Sequence, residues 1–297
     1  MNKPKIVVGI PFCTTKYFYP GDDNKGKELQ ALDPFLEKPP LFLNNPLYDL
    51  EFFFVVEHSR YKKSLMSLGD EVPEFHKFWN HEGISECEAA LSKNFYPKVE
   101  KLQELGFKVS IYNLILDTGT IVSGSGTHER LKHITTARNL ITDFCIDNHA
   151  SHLLALDSDV KPKPTAPKGM AITDFISALL EPSYPLIGGF VDRYSFVLGI
   201  PGYDETVTKR KAYRESISFF NAEKKRNPAL VLTTFNTAGF NLIGRDVFNN
   251  IRWRYDLDKG WTDDPCFGYD AACLGYPWVI HTGVTATHPI LTSDTNP

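Results

Sequence analysis

The chain has 297 residues, 42% hydrophobic and 23% charged, with a formal net charge of −4. That length suits one large or two small domains with a substantial core, and the mild acidity gives no global nucleic-acid signature, leaving only a local basic patch open. Five cysteines without regular spacing or a Cys-x-x-Cys pair argue against a disulfide framework or a zinc site and for free thiols in a reducing compartment.

Met1 to Lys5 leads into only a short apolar stretch, so no signal peptide is read. No run reaches the length of a membrane-spanning helix; the densest, Phe52-Phe53-Phe54-Val55-Val56, is strand-sized. The expectation is a soluble cytoplasmic protein without stable membrane insertion, repeats or low-complexity segments.

Ile6 to Ile10 reads as a first strand, apolar throughout and therefore central, leaving the sheet at Pro11-Phe12-Cys13-Thr14-Thr15. Residues 16–48 carry Pro, Asn, Asp and aromatic residues with little period, which is long for a structureless loop and implies function or partial order. Glu51 to Glu57 is a second strand, and His58 after it reads as structural or solvent-facing. Residues 85–104 read as a helix bent or split by Pro97 and ended by Gly106. Phe107 to Tyr112 is a third strand, and 117–127 a Gly/Ser/Thr connector without a phosphate-loop lysine.

His128 to Asn148 is helical, with Leu131, Ile134, Ile141, Phe144 and Cys145 on one stripe. Arg138 within it has two readings: a salt bridge on a solvated face, or a reach towards a bound nucleotide. Leu153 to Leu156 is a buried strand that ends in Asp157-Ser158-Asp159. In extended backbone residues i and i+2 point the same way, so the two aspartates are expected on one side. Two ionised carboxylates side by side repel, and a hard divalent cation carrying a diphosphate removes that repulsion; magnesium and manganese suit such an oxygen-lined site.

Residues 161–168 read as a turn, 171–180 as a helix, and Leu186-Ile187-Gly188-Gly189-Phe190-Val191 as a strand whose glycines allow close approach. Residues 195–230 are irregular and hold the one basic concentration, a solvated loop or a mobile lid over phosphates. Val231 to Ile243 resumes strand character. Trp261-Thr262-Asp263-Asp264-Pro265 opens a helix to about Leu274, where capping accounts for one aspartate better than for both. Trp278 to Ile280 is a strand, and Val284 to Pro289 ends the fold. Alternating strands and helices predict an α/β fold with a mixed, mostly parallel sheet and helices on both faces.

The ordered series Val7-Val8-Gly9-Ile10-Pro11, Ala137-Arg138-Asn139-Leu140, Leu156-Asp157-Ser158-Asp159-Val160, Ile187-Gly188-Gly189-Phe190-Val191, Asn236 to Ile243, Thr262-Asp263-Asp264, Gly275-Tyr276 and His288 resembles the GT-A glycosyltransferases. It is most similar to their family-2-like and fungal mannosyltransferase (Anp1-like) branches, over roughly residues 5–290. The resemblance implies a single GT-A domain over 1–297, with a nucleotide-binding half at 1–160 and an acceptor-binding half at 161–297 that includes the basic loop 195–230. It implies transfer of a sugar from a UDP- or GDP-linked donor to a hydroxyl on a glycan or glycolipid, with Mn2+ or Mg2+ as cofactor.

It further implies that Asp157, Asp159 and His288 form the metal site. Pro11, Phe12, Thr14, Arg138, Asp157 and Ser158 would border the nucleotide. Gly189, Gly239, Asn241 and Trp261 would line the acceptor side. Asp264 would be the base, with Asp263 beside it; the resembled enzymes carry Glu before that Asp, so the choice within the pair stays open. An inverting, in-line transfer follows if Asp264 meets the acceptor, and a retaining route if it does not.

Three other readings fit parts of the pattern. A phage-type DNA glycosyltransferase acting on 5-hydroxymethyl-pyrimidines would use the basic 209–226 stretch on phosphates. A non-catalytic carbohydrate-binding protein would leave the donor intact. A haloacid-dehalogenase-type phosphatase would use Asp157 as nucleophile, but its motif lies near the chain start and continues into Thr-Leu, whereas here Lys161-Pro162 follows.

Overall fold

The computed structural model describes residues 3–13, 29–61, 91, 95–118, 128–166, 174–191, 230–233, 236, 237, 239–259 and 261–288. Strand alternation sets the layering. On β1 (Lys5–Cys13), Ile6, Val8 and Ile10 enter one core while Val7 enters another on the opposite face. The first core takes Phe35 of α1 (Asp33–Glu37), Val99 and Leu102 of α2 (Tyr96–Glu104), and Phe175, Ile176 and Leu179 of α4 (Phe175–Leu180). The second takes Ala137, Ile141 and Cys145 of α3 (His128–Asp147), Val247 and Phe248 of α5 (Arg245–Asn250), and Phe267 and Ala271 of α6 (Asp263–Cys273).

Helices thus cover both faces of one sheet. β1 pairs in parallel with β2 (Asp49–Tyr61) and β4 (His152–Leu156), and β2 with β3 (Lys108–Thr118). β8 (Phe240–Gly244) runs antiparallel between β4 and β6 (Leu186–Val191). β6 is parallel to β9 (Trp278–Thr287), which also pairs antiparallel with β5 (Lys161–Pro162) and β7 (Leu230–Thr233). The order is β3-β2-β1-β4-β8-β6-β9-β5, with β7 on β9. This is the expected α/β architecture with a mixed, mostly parallel sheet.

Several local expectations change. Pro97 stands in the first turn of α2, where its missing N–H would have no intrahelical partner, and of residues 85–95 only Leu91 and Phe95 are described, both helical. The third strand runs on to Thr118, and residues 231–243 divide into β7 and β8. Lys161 and Pro162, expected in a turn, form β5. Residues 29–48 are short helical turns whose Phe35, Phe42 and Tyr48 are buried. The basic stretch up to residue 229 and Thr14 lie outside the described residues.

Two buried carboxylates, Asp174 and Glu51, tie distant segments together. Asp174 caps α4: its carboxylate accepts from Ser177 N at 2.8 Å, Ser177 Oγ at 2.7 Å, Tyr48 Oη at 2.9 Å and Asn45 Nδ2 at 3.1 Å. Burial, then the Asp174 charge, pushes the Tyr48 phenol well above its ordinary pKa. At the start of the parallel strands, Glu51 sits between Lys5 at 2.7 Å and Lys108 at 2.8 Å. Among the described residues no helix is long and apolar enough to cross a membrane.

Candidate active site

The strand order reverses between β1 and β4, and open α/β sheets bind ligands outside the carboxyl ends of strands at such a point. A recess opens there, lined by Gly9, Pro11, Leu156, Asp157, Arg138 and Trp253. Pro11 is on the face that looks into it. Phe12, one residue on, points to the opposite face and is buried against Phe95 with ring centroids 4.9 Å apart. The expectation that Phe12 borders a nucleotide base is therefore corrected: alternation sends it into the core.

β4 ends at Leu156. Beyond it Val160 N–H donates to the Asp157 carbonyl at 3.0 Å, closing a turn, and Asp157 N–H donates to the Gly239 carbonyl at 3.0 Å. The backbone is no longer extended, so the two aspartates do not point to one side as expected. Asp157 continues the alternation of Leu153 and Ala155 onto the α3 and α6 face, where it meets Arg138. Asp159 is turned towards His288, its Oδ2 lying 3.6 Å from Nε2. Ser158 between them is buried, and its carbonyl accepts from Ala31 N–H at 3.3 Å.

Arg138 is buried rather than on a solvated face. Its Nη2 donates to Asp157 Oδ1 at 2.9 Å, and its Nη1 donates to Asp264 Oδ1 at 3.3 Å and to Asp263 Oδ2. Burial acts to lower its pKa, but the charges of Asp157 and Asp264 outweigh that and the guanidinium stays charged, with its pKa raised. The guanidinium carbon lies 4.9 Å from the centroid of the Trp253 ring. Neither aspartate caps α6: Thr262 is the cap residue, and both carboxylates stand in the first turn, where the helix dipole favours negative charge. Asp263 is the more enclosed, with 9% of its side chain exposed against 26% for Asp264.

The β5–β9 pairing explains the approach of Asp159 to His288. It joins Lys161 to Thr287, so the residues just before β5 and just after β9 meet. A carboxylate oxygen and an imidazole nitrogen at 3.6 Å, each about one-fifth exposed, are a donor set that suits Mn2+ or Mg2+, the imidazole favouring manganese. Asp157 is not gathered with them; its Oδ1 accepts from Arg138. Among the described residues no group of three His, Cys, Asp or Glu side chains is gathered for a metal. The described residues bring together a pair, Asp159 and His288.

The four residues expected on the acceptor side divide. Gly239 packs on Asp157: a Cβ there would lie 2.7 Å from Oδ2. Gly189 is under the Phe240 ring, which a Cβ would approach to 2.1 Å. Asn241 is fully buried, donating to the Thr237 carbonyl and accepting from Trp278 Nε1 at 3.0 Å and Asn236 Nδ2 at 3.2 Å. Its amide serves the interior of the sheet, a correction to its expected role. Trp261 is likewise buried, with Lys259 Nζ 4.8 Å from its ring centroid.

Sequence reading missed Asn139 and Trp253. The Asn139 amide donates to the Trp253 carbonyl and accepts from its N–H, both at 2.9 Å, and the Trp253 ring stacks on Phe267 of α6 at 4.0 Å. The Arg-Asn pair in the α3 motif was the available signal.

No protein-family model and no curated protein matches the chain. Among solved structures it is similar to protein A197 from STIV, at 16% identity over 64% of this chain and 76% of that one, with a TM-score of 0.33. It is similar to GalNAc-T7 with UDP, GalNAc and Mn2+, at 10% identity over 98% of this chain and 44% of that one, with a TM-score of 0.43. The mannosyltransferase Ktr4p from S. cerevisiae in complex with GDP aligns at 8% identity over 99% of this chain and 75% of that one, with a TM-score of 0.39. The chain spans less than half of the GalNAc-T7 chain.

Proposed function

We propose that this chain is a metal-dependent GT-A glycosyltransferase that moves a sugar from a nucleoside-diphosphate donor to a hydroxyl acceptor. One observation carries the reading: acids from two distant parts of the chain, Asp157 and the Asp263–Asp264 pair, converge on Arg138 beside the crevice at the carboxyl ends of β1 and β4. Open α/β sheets take nucleotides outside the strand ends at such a reversal, and the carboxylates gathered there offer a group for proton removal, which supports donor and acceptor side by side at this end of the sheet.

The donor belongs with residues 1–160, against Pro11 and the Asp157–Asp159 turn. The acceptor belongs with 161–297. Asp159 and His288 would hold the divalent cation, which supplies neutralisation of charge on the leaving diphosphate. Asp264, the more exposed acid of the pair, is the base that takes the acceptor hydroxyl proton, and Asp263 anchors the helix end to Arg138. This order of roles gives inversion at the anomeric carbon.

The test is a panel of UDP- and GDP-sugars incubated with Mn2+, with Mg2+ or with chelator, read by release of nucleoside diphosphate. The expected result is release from one donor class that stops on chelation. Intact donors throughout, under conditions where the protein is folded, would overturn the assignment in favour of a binding protein.

A further inference from the structure

Resting on the glycosyl-transfer reading, we propose that Arg138 is a positioning residue, which sets the acid pair at the start of α6 against the Asp157 turn and so fixes the acceptor-side base relative to the donor.

The guanidinium is held by three carboxylates and one aromatic ring. Its edge meets Asp157 Oδ1 at 2.9 Å, Asp264 Oδ1 at 3.3 Å and Asp263 Oδ2. Its carbon is 4.9 Å from the Trp253 centroid. Trp253 is fixed in turn by the two-way bond to Asn139, the next residue on α3, and by stacking on Phe267 of α6 at 4.0 Å and 18°. One turn of α3 therefore reaches the donor-side turn through Arg138 and α6 twice, through the acids and through Trp253.

This arrangement is better suited to geometry than to stability. A buried cation facing several carboxylates leaves excess negative charge, and well-packed apolar residues commonly replace buried ion pairs without loss of stability. A planar fork gives a fixed direction to each contact, whereas a lysine gathers its three donors on one compact ammonium and does not reproduce the separation of the two guanidinium nitrogens. A displacement of about 1 Å in a reacting group can cost about 100-fold in rate.

Two variants test the role. Arg138→Lys keeps the charge and is expected to melt within about 5 °C of the parent, while kcat falls about 100-fold and the donor KM changes less than about threefold. A kcat within about threefold of the parent would overturn the proposal. A second measurement needs no activity. Arg138→Met strips the counter-ion from the acids and is expected to lower Tm by about 5–10 °C, and adding Asp157→Asn to it should restore a good part of that loss. If Arg138→Met does not fold, the same cycle is run on Arg138→Lys. No thermal coupling between positions 138 and 157 would overturn the clamp. An inactive parent would defeat the transferase reading, while the thermal cycle would still decide whether Arg138 holds the acids together.

Discussion

Gly239 stands where a Cβ would lie 2.7 Å from Asp157 Oδ2, 3.0 Å from its Cγ and 3.1 Å from its Cβ. The contact runs along the whole side chain, so rotating the carboxylate does not relieve it. Asp157 is also tethered by Arg138 and by its own N–H to the Gly239 carbonyl. Gly239→Ala is therefore expected to displace Asp157 and lower donor kcat/KM by about 10–100-fold, within the range that small misplacements produce. Nucleoside diphosphate release checks the rate, and unchanged release would show that the Asp157 position does not matter to the reaction.

The acid pair opening α6 is expected to separate in two measurements. Asp264 is the more exposed, so Asp264→Asn should lose about 100-fold or more in kcat while melting close to the parent. Asp263 is buried against Arg138, so Asp263→Asn should lower stability by about 1–3 kcal/mol as well as activity. Near-normal transfer by Asp264→Asn would rule out its role as base and leave the retaining route.

The arrangement around Arg138 shows where sequence reasoning stops. The motif residues, their order and the layering were readable because alternation and helical period report burial. Arg138 itself is four residues after Ile134 and three before Ile141, in phase with the apolar stripe, which was a legible sign that it points inward. Its partners were not legible, because they come from the end of β4 and the start of α6, and no local pattern encodes that meeting. β1 is apolar on both faces, so period two could not say whether Pro11 or Phe12 faces the crevice. The Asp157–Asp159 pair is legible as a motif, but the strand reading does not include the local turn that Val160 N–H closes on the Asp157 carbonyl, nor the different partners, Arg138 and His288, that the two acids meet.

Metal dependence gives a third prediction. If Asp159 and His288 hold the cation as proposed, a site with only those two protein groups should depend strongly on each and on the bound diphosphate. His288→Ala is expected to raise the Mn2+ concentration needed for half-maximal donor turnover by about 10-fold or more, an effect of the size seen when a metal's coordination is disturbed. Its Tm in chelator should stay near that of the parent, since the imidazole is partly exposed. Titration of Mn2+ against donor hydrolysis checks this, and an unchanged Mn2+ requirement would remove His288 from the site.

Acid should weaken the fold in two stages. His281 is buried and His152 half-buried, and desolvation holds both pKa values below the ordinary value, with a backbone bond and Glu181 opposing it only in part at His281. In the unfolded chain both imidazoles take up protons near pH 6.5 or about there, whereas the folded chain resists, so their stabilising contribution is complete above that pH and declines as pH falls towards the folded values. Glu51 acts lower. Burial tends to raise its pKa, but Lys108 and Lys5 outweigh it and hold the carboxyl below the ordinary range. Its contribution is complete above about pH 4.5 and is lost as protonation of the folded carboxylate proceeds below that. Denaturant melts at about pH 7, 5.5 and 4 should show stability falling at each step. His281→Gln should flatten the first step and Glu51→Gln the second, with Glu51→Gln less stable than the parent at neutral pH because its ion pairs are gone. Stability that does not change between about pH 7 and 5 would show that these two imidazoles accept protons in the folded state as readily as in the unfolded one.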